Sequence, residues 1–336
     1  MKPIRVGVVG LGVMGRQHLR VLRGLVEFDV VAIADPRIAE LDTTVERAAG
    51  IWAHSEPEDL LNHDLDAVVI ASPTSAHVPQ AKLFLHEGIH VLLEKPIAPD
   101  VASAQELVDV ARKSSAHLLI GHVERFNPAI DALRALITGG DLGRVLSVSA
   151  RRVGVARPAL PATNVIADLG IHDIDIIQLL TGSEPVVLGA TGGSLPGNHQ
   201  EDFAFVLLSY ADVAAAVETN WITPLKSRRL SVTGTGGFVD VDYVRQEVTV
   251  YEGRIDPVEG PTSHFSAVWQ TAQARPLWVL QGEPLMRELL HFATCVRGQG
   301  ELAISPDEAL AALAACQHAT HLVRESQSRL VATSNG

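Results

Sequence analysis

The hydrophobic pattern of the first third of the chain alternates short apolar runs with amphipathic stretches of helical spacing. Five runs have the composition of buried strands: Pro3 to Val9, Val30 to Ala34, Ala67 to Ala71, Val91 to Leu93 and Leu118 to Gly121. Strands that alternate with helices favour a parallel, doubly wound sheet. We therefore predict an α/β domain that spans residues 1–122.

The pattern changes after Arg125, where polar and apolar residues begin to alternate over long stretches. Seven such runs follow: Val145 to Val153, Val186 to Thr191, Phe203 to Leu208, Ala214 to Trp221, Arg229 to Thr233, Phe238 to Val241 and Glu247 to Tyr251. Alternation is typical of antiparallel strands that face solvent on one side. Residues 123–336 are therefore predicted to form an α+β domain with a large, open, mainly antiparallel sheet.

Helices interrupt and close this second domain. Helical spacing occurs in four segments: Ala129 to Ile137, Ile171 to Leu180, Pro284 to Val296 and Pro306 to Val323. Ser305, with Pro306 next and Glu308 three residues later, predicts a capping box at the start of the last helix. The segment Arg254 to Leu280, rich in Pro and Ser, is predicted to be a loop or lid.

A glycine turn lies between the first strand and the first helix. Gly10, Gly12 and Gly15 follow the apolar run, and helical spacing starts at Met14. In a dinucleotide-binding turn the first glycine permits the bend, the second lets the backbone approach a pyrophosphate, and the third lets helix and strand pack closely. The helix N-terminus, with Val13, then faces the phosphate charge. The motif predicts a Rossmann domain.

Asp35 ends the second strand, about twenty residues beyond Gly15, where a carboxylate can bind the ribose hydroxyls of the adenosine. This favours NAD over NADP as the cofactor. Arg37 leaves NADP open, because it could receive a 2′-phosphate if Asp35 turned away. A βα turn that binds no nucleotide, with Asp35 as a helix cap, is the alternative to the whole motif.

Polar segments follow three further strands of the first domain. In open α/β sheets the ligand lies beyond the carboxyl ends of the strands, so these segments are expected to face it. They are Ala71 to Thr74, Glu94 to Pro96 and Gly121 to His122. Our predicted cofactor contacts at these ends are Ser72, Pro73, Thr74, His77, Glu94 and Lys95, in addition to the glycine turn and Asp35.

Lys95 is the first candidate for chemistry. At the end of a strand that points at the nicotinamide, its ammonium group can donate a hydrogen bond to a substrate oxygen and stabilise a developing alkoxide. Pro96 predicts a tight bend that holds the lysine, and the sequence does not decide between a trans and a cis bond. The alternative is a solvated lysine at a strand end.

The segment Asp168 to Asp175 holds the second group of candidates. If it is helical, Asp168, His172 and Asp175 share a face. The residues that follow are apolar almost all round, which indicates burial and gives the polar cluster a reason to exist. We predict His172 as the general base and Asp168 as the residue that orients it. A capping role for Asp168 and a core role for His172 stay open.

Substrate recognition is less sharply encoded. Our predicted substrate contacts are Lys95, Arg125, Asn127, Arg152, Asp168 and His172. Two cationic groups, Arg151 with Arg152 and Arg157, and Lys226 with Arg228 and Arg229, stand out in an acidic chain and could bind a diphosphate. The alternative for both groups, to which we give equal weight, is that they are strand residues on a solvated face of the sheet. No cysteine or second histidine lies at suitable spacing from His172, so we predict no metal site.

The composition restricts the partners. A formal charge of −12 over 336 residues argues against nucleic acid and anionic membranes, which need a positive field. No apolar run approaches the length of a membrane span, and the first strand begins at once, so a cytoplasmic location is expected. The open sheet suggests a homo-oligomer, a dimer or tetramer, built through the second domain. Cys295 and Cys316 are predicted to be buried free thiols.

The motifs resemble those of the Gfo/Idh/MocA oxidoreductase family over nearly the whole chain. The resemblance lies in the three glycines, in Glu94-Lys95-Pro96, in Arg125-Phe126-Asn127-Pro128 and in Asp168 through His172-Asp173. It implies a Rossmann domain followed by an α/β domain with an open sheet. It also implies that Lys95, Asp168 and His172 form the catalytic group, in agreement with the residues taken by themselves.

Within this family the motifs look most like those of members that oxidise the 3-hydroxyl of UDP-linked N-acetylglucosamine to a 3-keto product. Gly121 to Pro128, Asp168 to Asp175, and Val232 to Gly237 with Asp242-Tyr243 carry this narrower resemblance. Two other functions stay open. One is an inositol-type polyol or free-sugar dehydrogenase, and the other is a non-catalytic protein that senses NAD.

Overall fold

The computed structural model describes residues 2–43, 46, 49–155, 163–253 and 273–334. The chain divides into two compact units. The first consists of Met1–Val123 and Glu283–Ala314, and the second of Glu124–Gly282 and Ala315–Gly336.

A six-stranded sheet forms the centre of the first unit. Its strands are β1 (Ile4–Val9), β2 (Phe28–Ala34), β3 (Trp52–His54), β4 (Ala67–Ile70), β5 (His90–Glu94) and β6 (Leu118–Gly121). They lie in the order β3-β2-β1-β4-β5-β6, and every pair is parallel. This is the strand order of a dinucleotide-binding fold, so the α/β prediction is confirmed. All four residues of β4 are buried, as expected for a central parallel strand.

Helices connect the strands of this sheet. They are α1 (Val13–Leu22), α2 (His77–His86) and α3 (Val101–Lys113). Helix α1 packs on β1, β2 and β4, and α2 packs on β4 and β5. Asp100 caps α3, where its side chain accepts a hydrogen bond of 2.8 Å from the backbone N–H of Ser103. Short 3-10 turns cover Pro57–His63 and Thr74–Ala76.

The second unit is built on an eight-stranded sheet. Its strands are β7 (Val145–Val155), β8 (Val186–Gly193), β9 (Phe203–Tyr210), β10 (Val213–Asn220), β11 (Ile222–Gly234), β12 (Gly237–Asp242), β13 (Glu247–Glu252) and β14 (Ala274–Leu277). The order is β14-β13-β12-β11-β7-β10-β9-β8, and only the pair of β7 with β10 is parallel. The predicted mainly antiparallel sheet is thus confirmed.

One face of this sheet is covered by helices. Helix α4 (Pro128–Thr138) packs on β12 and β13, and α5 (Ile171–Thr181) packs on β7, β9 and β10. Along β9, Ala204, Val206 and Leu208 are buried, while the intervening Phe205 and Leu207 are about half exposed. The period of two therefore separates a helix-covered face from an open one.

The C-terminal helices divide differently from the predicted domains. Helix α6 (Pro284–Val296) belongs to the first unit, although the sequence boundary placed residues 123–336 together. Leu289 and Phe292 of α6 are fully buried, and the helix packs on α1. A helix with an apolar face can complete either core, so periodicity does not say which core it joins.

The capping box at Ser305 and the predicted lid lie next to these helices in the chain. The capping box of α7 (Pro306–Ser334) is confirmed, because Ser305 Oγ accepts from the Glu308 N–H at 3.2 Å and Glu308 Oε2 accepts from the Ser305 N–H at 2.9 Å. Most of the predicted lid, residues 254–272, lies outside the described part of the chain. Its last part differs from the prediction, since Ala274–Leu277 pairs with β13 as a strand.

Candidate active site

The glycine turn has the geometry of a phosphate cradle. Gly10 has φ +85°, and a Cβ there would lie 2.6 Å from the Ser72 nitrogen. A Cβ on Gly15 would lie 1.7 Å from the Gly10 oxygen, whereas a Cβ on Gly12 would meet nothing within 4 Å. The first and third glycines are therefore required by conformation and packing. The second leaves backbone open to a ligand, and no side chain caps α1 there.

Asp35 is held against this turn at the end of β2. Its carboxylate accepts hydrogen bonds from the backbone N–H groups of Leu11 at 2.8 Å and of Arg37 at 2.9 Å. The Arg37 side chain is largely exposed, with its Nε atom 3.6 Å from the carboxylate. Val13 and Met14, at the start of α1, expose 61% and 36% of their surface. These residues fit a dinucleotide that lies over the turn.

His77 joins two of the predicted cofactor segments. Its Nδ1 lies 2.9 Å from the Pro96 carbonyl oxygen, and its Nε2 lies 3.0 Å from the Ser72 carbonyl oxygen. The ring is buried, and this burial lowers the pKa of His77. Because both nitrogens face backbone oxygens, His77 holds the Ser72 segment, with Pro73 and Thr74, next to the bend that follows β5.

Lys95 stands on a supported bend. The Lys95-Pro96 peptide bond is cis. Glu94 is buried, and its Oε2 lies 3.2 Å from the backbone nitrogen of Lys95, while its Oε1 lies 2.9 Å from His18 Nε2 on α1. Burial alone would raise the pKa of Glu94, but the hydrogen bond and charge of His18 bring it below its usual range. Lys95 itself is partly exposed, so a ligand can reach it.

Glu288 of α6 adds a second buried carboxyl group near Glu94. It is fully buried, and neither of its oxygens has a hydrogen-bond partner among the described residues. Burial, with the charge of Glu94, raises the pKa of Glu288 well above its usual range. The two carboxyl groups therefore have pKa values shifted in opposite directions, so the proton is held more tightly by Glu288 than by Glu94.

Replacing Glu288 with glutamine should stabilise the protein, increasingly so at higher pH. In wild type the pKa of Glu288 is higher in the folded than in the unfolded state. The folded protein therefore loses stability as pH rises above the unfolded pKa of this group. Glutamine does not titrate, and the gain should approach about 1.4 kcal/mol for each pH unit covered between the two pKa values. The measurement is thermal unfolding of both proteins from pH 5 to pH 8.

The exposed Glu301 of the same unit supplies the control. Glu301→Gln should leave the difference from wild type flat across this range. A flat difference for Glu288→Gln as well would mean that Glu288 ionises normally.

The candidate base and its aspartate lie in the second unit at a change of helix type. Ile166–Gly170 forms a single π-helical turn, and α5 follows directly. Such turns are frequent at functional sites because they realign side chains. Asp168 lies in the π turn and His172 in the first turn of α5, and both are partly exposed.

Asp175, the third residue on the predicted face, has a different role. Its carboxylate forms a bidentate ion pair with Arg125, with Nε–Oδ2 at 2.8 Å and Nη2–Oδ1 at 2.7 Å. Both side chains are almost completely buried. Arg125 was predicted to contact substrate, and the structure gives its guanidinium a protein carboxylate as partner.

Arg152 is held in a second buried network. It donates to both oxygens of Asp173, at 2.8 and 2.9 Å, and to Glu124 at 2.8 Å. Its guanidinium carbon lies 5.0 Å from the centre of the Tyr243 ring, a cation–π contact. Burial and the nearby Asp173 raise the pKa of Tyr243. The Nε, Nη1 and Nη2 atoms of Arg152 thus all have protein partners among the described residues.

Asn127, the third predicted substrate contact of this kind, is a helix cap. Its Oδ1 accepts from the Ala129 N–H at 3.1 Å at the start of α4, and its Nδ2 donates to Glu124 and to the Tyr243 carbonyl, each at 3.1 Å. Because the side chain is buried, it organises this unit from within.

The structure places members of each predicted cationic group on different sides of the sheet, because neighbouring residues of a strand face opposite sides. Arg151 is exposed and pairs with Glu218 at 2.8 Å, away from the buried Arg152. Arg229 likewise faces outward and pairs with Asp240 at 2.8 Å, whereas Arg228 turns inward. Of the two remaining members, Lys226 is exposed and Arg157 lies outside the described residues.

Sequence reasoning missed several residues of these networks. His18 follows Gly15 by three positions on α1, and a buried histidine just after a glycine turn was the available signal. Glu288 lies at helical spacing on the apolar face of α6 with Leu285, Leu289 and Phe292, which is an equally visible signal. The described residues contain no helix long and apolar enough to cross a membrane. Within the same ranges no three His, Cys, Asp or Glu side chains are arranged to hold a metal ion.

Comparisons with known proteins cover both units. Residues 4–122 match the family model described as an oxidoreductase family with an NAD-binding Rossmann fold. Residues 130–240 match the model of the GFO/IDH/MocA C-terminal domain. The two matches together include the glycine turn, Lys95, Asp168 and His172.

Individual relatives are dehydrogenases. The chain is 30% identical over 263 residues to UDP-N-acetylglucosamine 3-dehydrogenase from Acidithiobacillus ferrooxidans, which covers 76% of this chain and 80% of the relative. It is 27% identical to inositol 2-dehydrogenase from Rhizobium meliloti over 98% of this chain and 99% of the relative. The solved structure of the Acidithiobacillus ferrooxidans enzyme is similar with a TM-score of 0.83 and 25% identity, over 96% and 98% of the two chains.

Proposed function

The chain belongs to the Gfo/Idh/MocA family of oxidoreductases, and from this membership we propose that it oxidises the 3-hydroxyl of UDP-N-acetylglucosamine to the 3-keto sugar, with NAD. That it is an oxidoreductase of sugars or polyols follows from the family and its named dehydrogenases. The nucleotide-sugar substrate is the finer proposal. The 30% identity over 80% of the named 3-dehydrogenase is the observation that carries it.

In the proposed mechanism His172 and Lys95 act on one secondary hydroxyl, and Asp168 acts through His172. His172 takes the hydroxyl proton, and Asp168 orients His172 from the π turn. Lys95 donates a hydrogen bond to the oxygen as its negative charge develops, and the bend at Pro96 keeps the ammonium group in place. Gly10, Gly12, Gly15 and Asp35 would hold NAD, which would serve as acceptor for the hydride from the carbon that bears the hydroxyl.

The preference for NAD rests on Asp35. Its buried carboxylate is fixed by two backbone N–H groups at the end of β2, where a ribose hydroxyl would donate to it. A 2′-phosphate would be repelled by the same charge. Initial rates with NAD and with NADP, measured under identical conditions, test this part of the proposal, and equal rates would contradict it.

The test of the function is NADH formation from NAD with UDP-N-acetylglucosamine or with myo-inositol. Each assay is repeated with His172→Ala. We expect turnover of the nucleotide sugar that the variant loses. Turnover of inositol alone would support the second candidate function, which the 27% identity over the full length of an inositol 2-dehydrogenase favours. In that case the roles of Lys95, Asp168 and His172 would stand and the substrate would change.

We further propose that the open face of the eight-stranded sheet binds a second copy of the chain. Leu188 on β8 and Phe205 and Leu207 on the neighbouring β9 expose between 50% and 67% of their surface. Contiguous apolar surface of this kind marks an association site. We expect light scattering to report a dimer or tetramer, and Leu207→Glu to lower the mass. A monomeric wild type at micromolar concentration would rule this out.

A further inference from the structure

Arg228 is an arginine next to the network around Arg152, and its side chain has no hydrogen bond or ion pair among the described residues. It lies on β11, opposite Arg152 of β7 in the strand register, and its side chain is partly buried. Its Nη1 atom is buried without a hydrogen-bond partner among the described residues. No ion pair of Arg228 occurs in that part of the chain either.

Two of the nearby carboxylates already accept hydrogen bonds from another arginine. Glu124 and Asp173 both lie close enough for their charges to act on Arg228, but both accept hydrogen bonds from Arg152. Burial, with the positive charge of Arg152, lowers the pKa of Arg228. A partly buried cation next to another cation is costly unless an anion compensates for it.

The candidate catalytic aspartate is the next neighbour. The charge of Asp168 also acts on Arg228, so the guanidinium group lies near the residue that is proposed to orient His172. Arg229, on the opposite face of the same strand, already pairs with Asp240. Of Arg228 and Arg229, only Arg228 turns inward and can therefore bind a ligand of the site.

We infer that Arg228 binds an oxyanion of the substrate beside Asp168, a phosphate of a nucleotide sugar or the carboxylate of a sugar acid. The inference rests on the proposed function and deepens it, because it names the chemical group that the second unit recognises. A planar guanidinium matches the two oxygens of either anion. An uncharged polyol carries no such group and could not form this charge-assisted, two-point contact.

The experiment is calorimetric titration of the full-length protein, with NAD present, against UDP and against glucuronate. Three proteins are compared: wild type, Arg228→Met and Arg229→Met. We expect Arg228→Met to weaken binding of one of the two anions by about tenfold or more, since a hydrogen bond to a charged group is lost. Arg229→Met should bind like wild type. The wild-type affinity should fall with ionic strength.

The two arms separate the sources of the anion. Weakened UDP binding assigns Arg228 to a phosphate, and weakened glucuronate binding assigns it to a carboxylate. Equal affinities of wild type and Arg228→Met for both ligands, or no binding of either by wild type, would overturn the inference. The melting temperature gives a second check, because removing an unpaired cation should not lower it. Unfolding of Arg228→Met would make Arg228 a structural residue and also overturn the inference.

Failure of the proposed function is recognised separately. UDP binding that depends on Arg228, without NADH formation from UDP-N-acetylglucosamine, would retain the anion site and reject that substrate. NADH formation from UDP-N-acetylglucosamine with equal KM in wild type and Arg228→Met would retain the function and reject the role of Arg228.

Discussion

Replacing Lys95 with methionine should lower kcat for sugar oxidation by about a thousandfold while leaving the affinity for NAD within about twofold of wild type. A positioned donor that meets developing negative charge contributes about 10²–10³ in kcat. Methionine keeps the length of the side chain and removes its ammonium group. The phosphate cradle at Gly12 and the hydrogen bonds of Asp35 do not involve Lys95, so the cofactor should still bind.

The measurement combines steady-state rates with titration of NAD by calorimetry. Lys113→Met supplies the matched control, since Lys113 is an exposed lysine at the end of α3 in the same unit. It should have the rates of wild type. A Lys95→Met enzyme that kept more than about a tenth of the wild-type kcat would show that Lys95 does not stabilise the reacting oxygen.

The second large effect should come from Arg152→Met, which we expect to lower the free energy of unfolding by about 3–5 kcal/mol. The variant leaves Asp173 fully buried without its bidentate partner and removes the hydrogen bond to Glu124. The charge of Arg152 also keeps the pKa of Glu124 below its usual range, against the opposing effect of burial. Since that contribution is present above the unfolded pKa of Glu124 and lost as pH falls, the variant should show a weaker loss of stability in acid.

Chemical denaturation of wild type and variants measures this effect. Arg151→Met is the control one residue away, because its ion pair with Glu218 is partly exposed and should be worth less than about 1 kcal/mol. The double variant Arg152→Met, Asp173→Leu should recover part of the loss, since it removes the stranded charge. If Arg152→Met and Arg151→Met cost the same, the network around Arg152 does not stabilise the unit.

The buried networks also change how the predicted substrate contacts are understood. Arg125, Asn127 and Arg152 lie in motifs that suggested recognition, yet each has protein partners that account for its polar atoms. They remain predicted contacts, and the structure adds that Arg125 and Arg152 bind Asp175 and Asp173 of α5, the helix that carries His172. Arg228, which the sequence placed in a group with Arg229, differs from these three residues, because its buried Nη1 atom has no hydrogen-bond partner among the described residues.

The sequence by itself determined the features that depend on neighbouring residues. The glycine turn, the capping box at Ser305 and the two strand patterns follow from backbone conformation and from the period of side chains along an element, and the structure confirms them. The alternation of faces along β7 also follows from the sequence pattern alone. It separates Arg151 from Arg152 without any knowledge of the fold.

Only the tertiary structure decided which charges meet. Arg125 and Asp175 are 50 residues apart in the chain, and His18 and Glu94 are 76 apart. The sequence does not show which residue a carboxylate will pair with, because Coulombic attraction and desolvation depend on distance and burial rather than on order along the chain. The same physics lowers the pKa of Glu94 and raises that of Glu288, and it leaves Arg228 without an ion pair among the described residues.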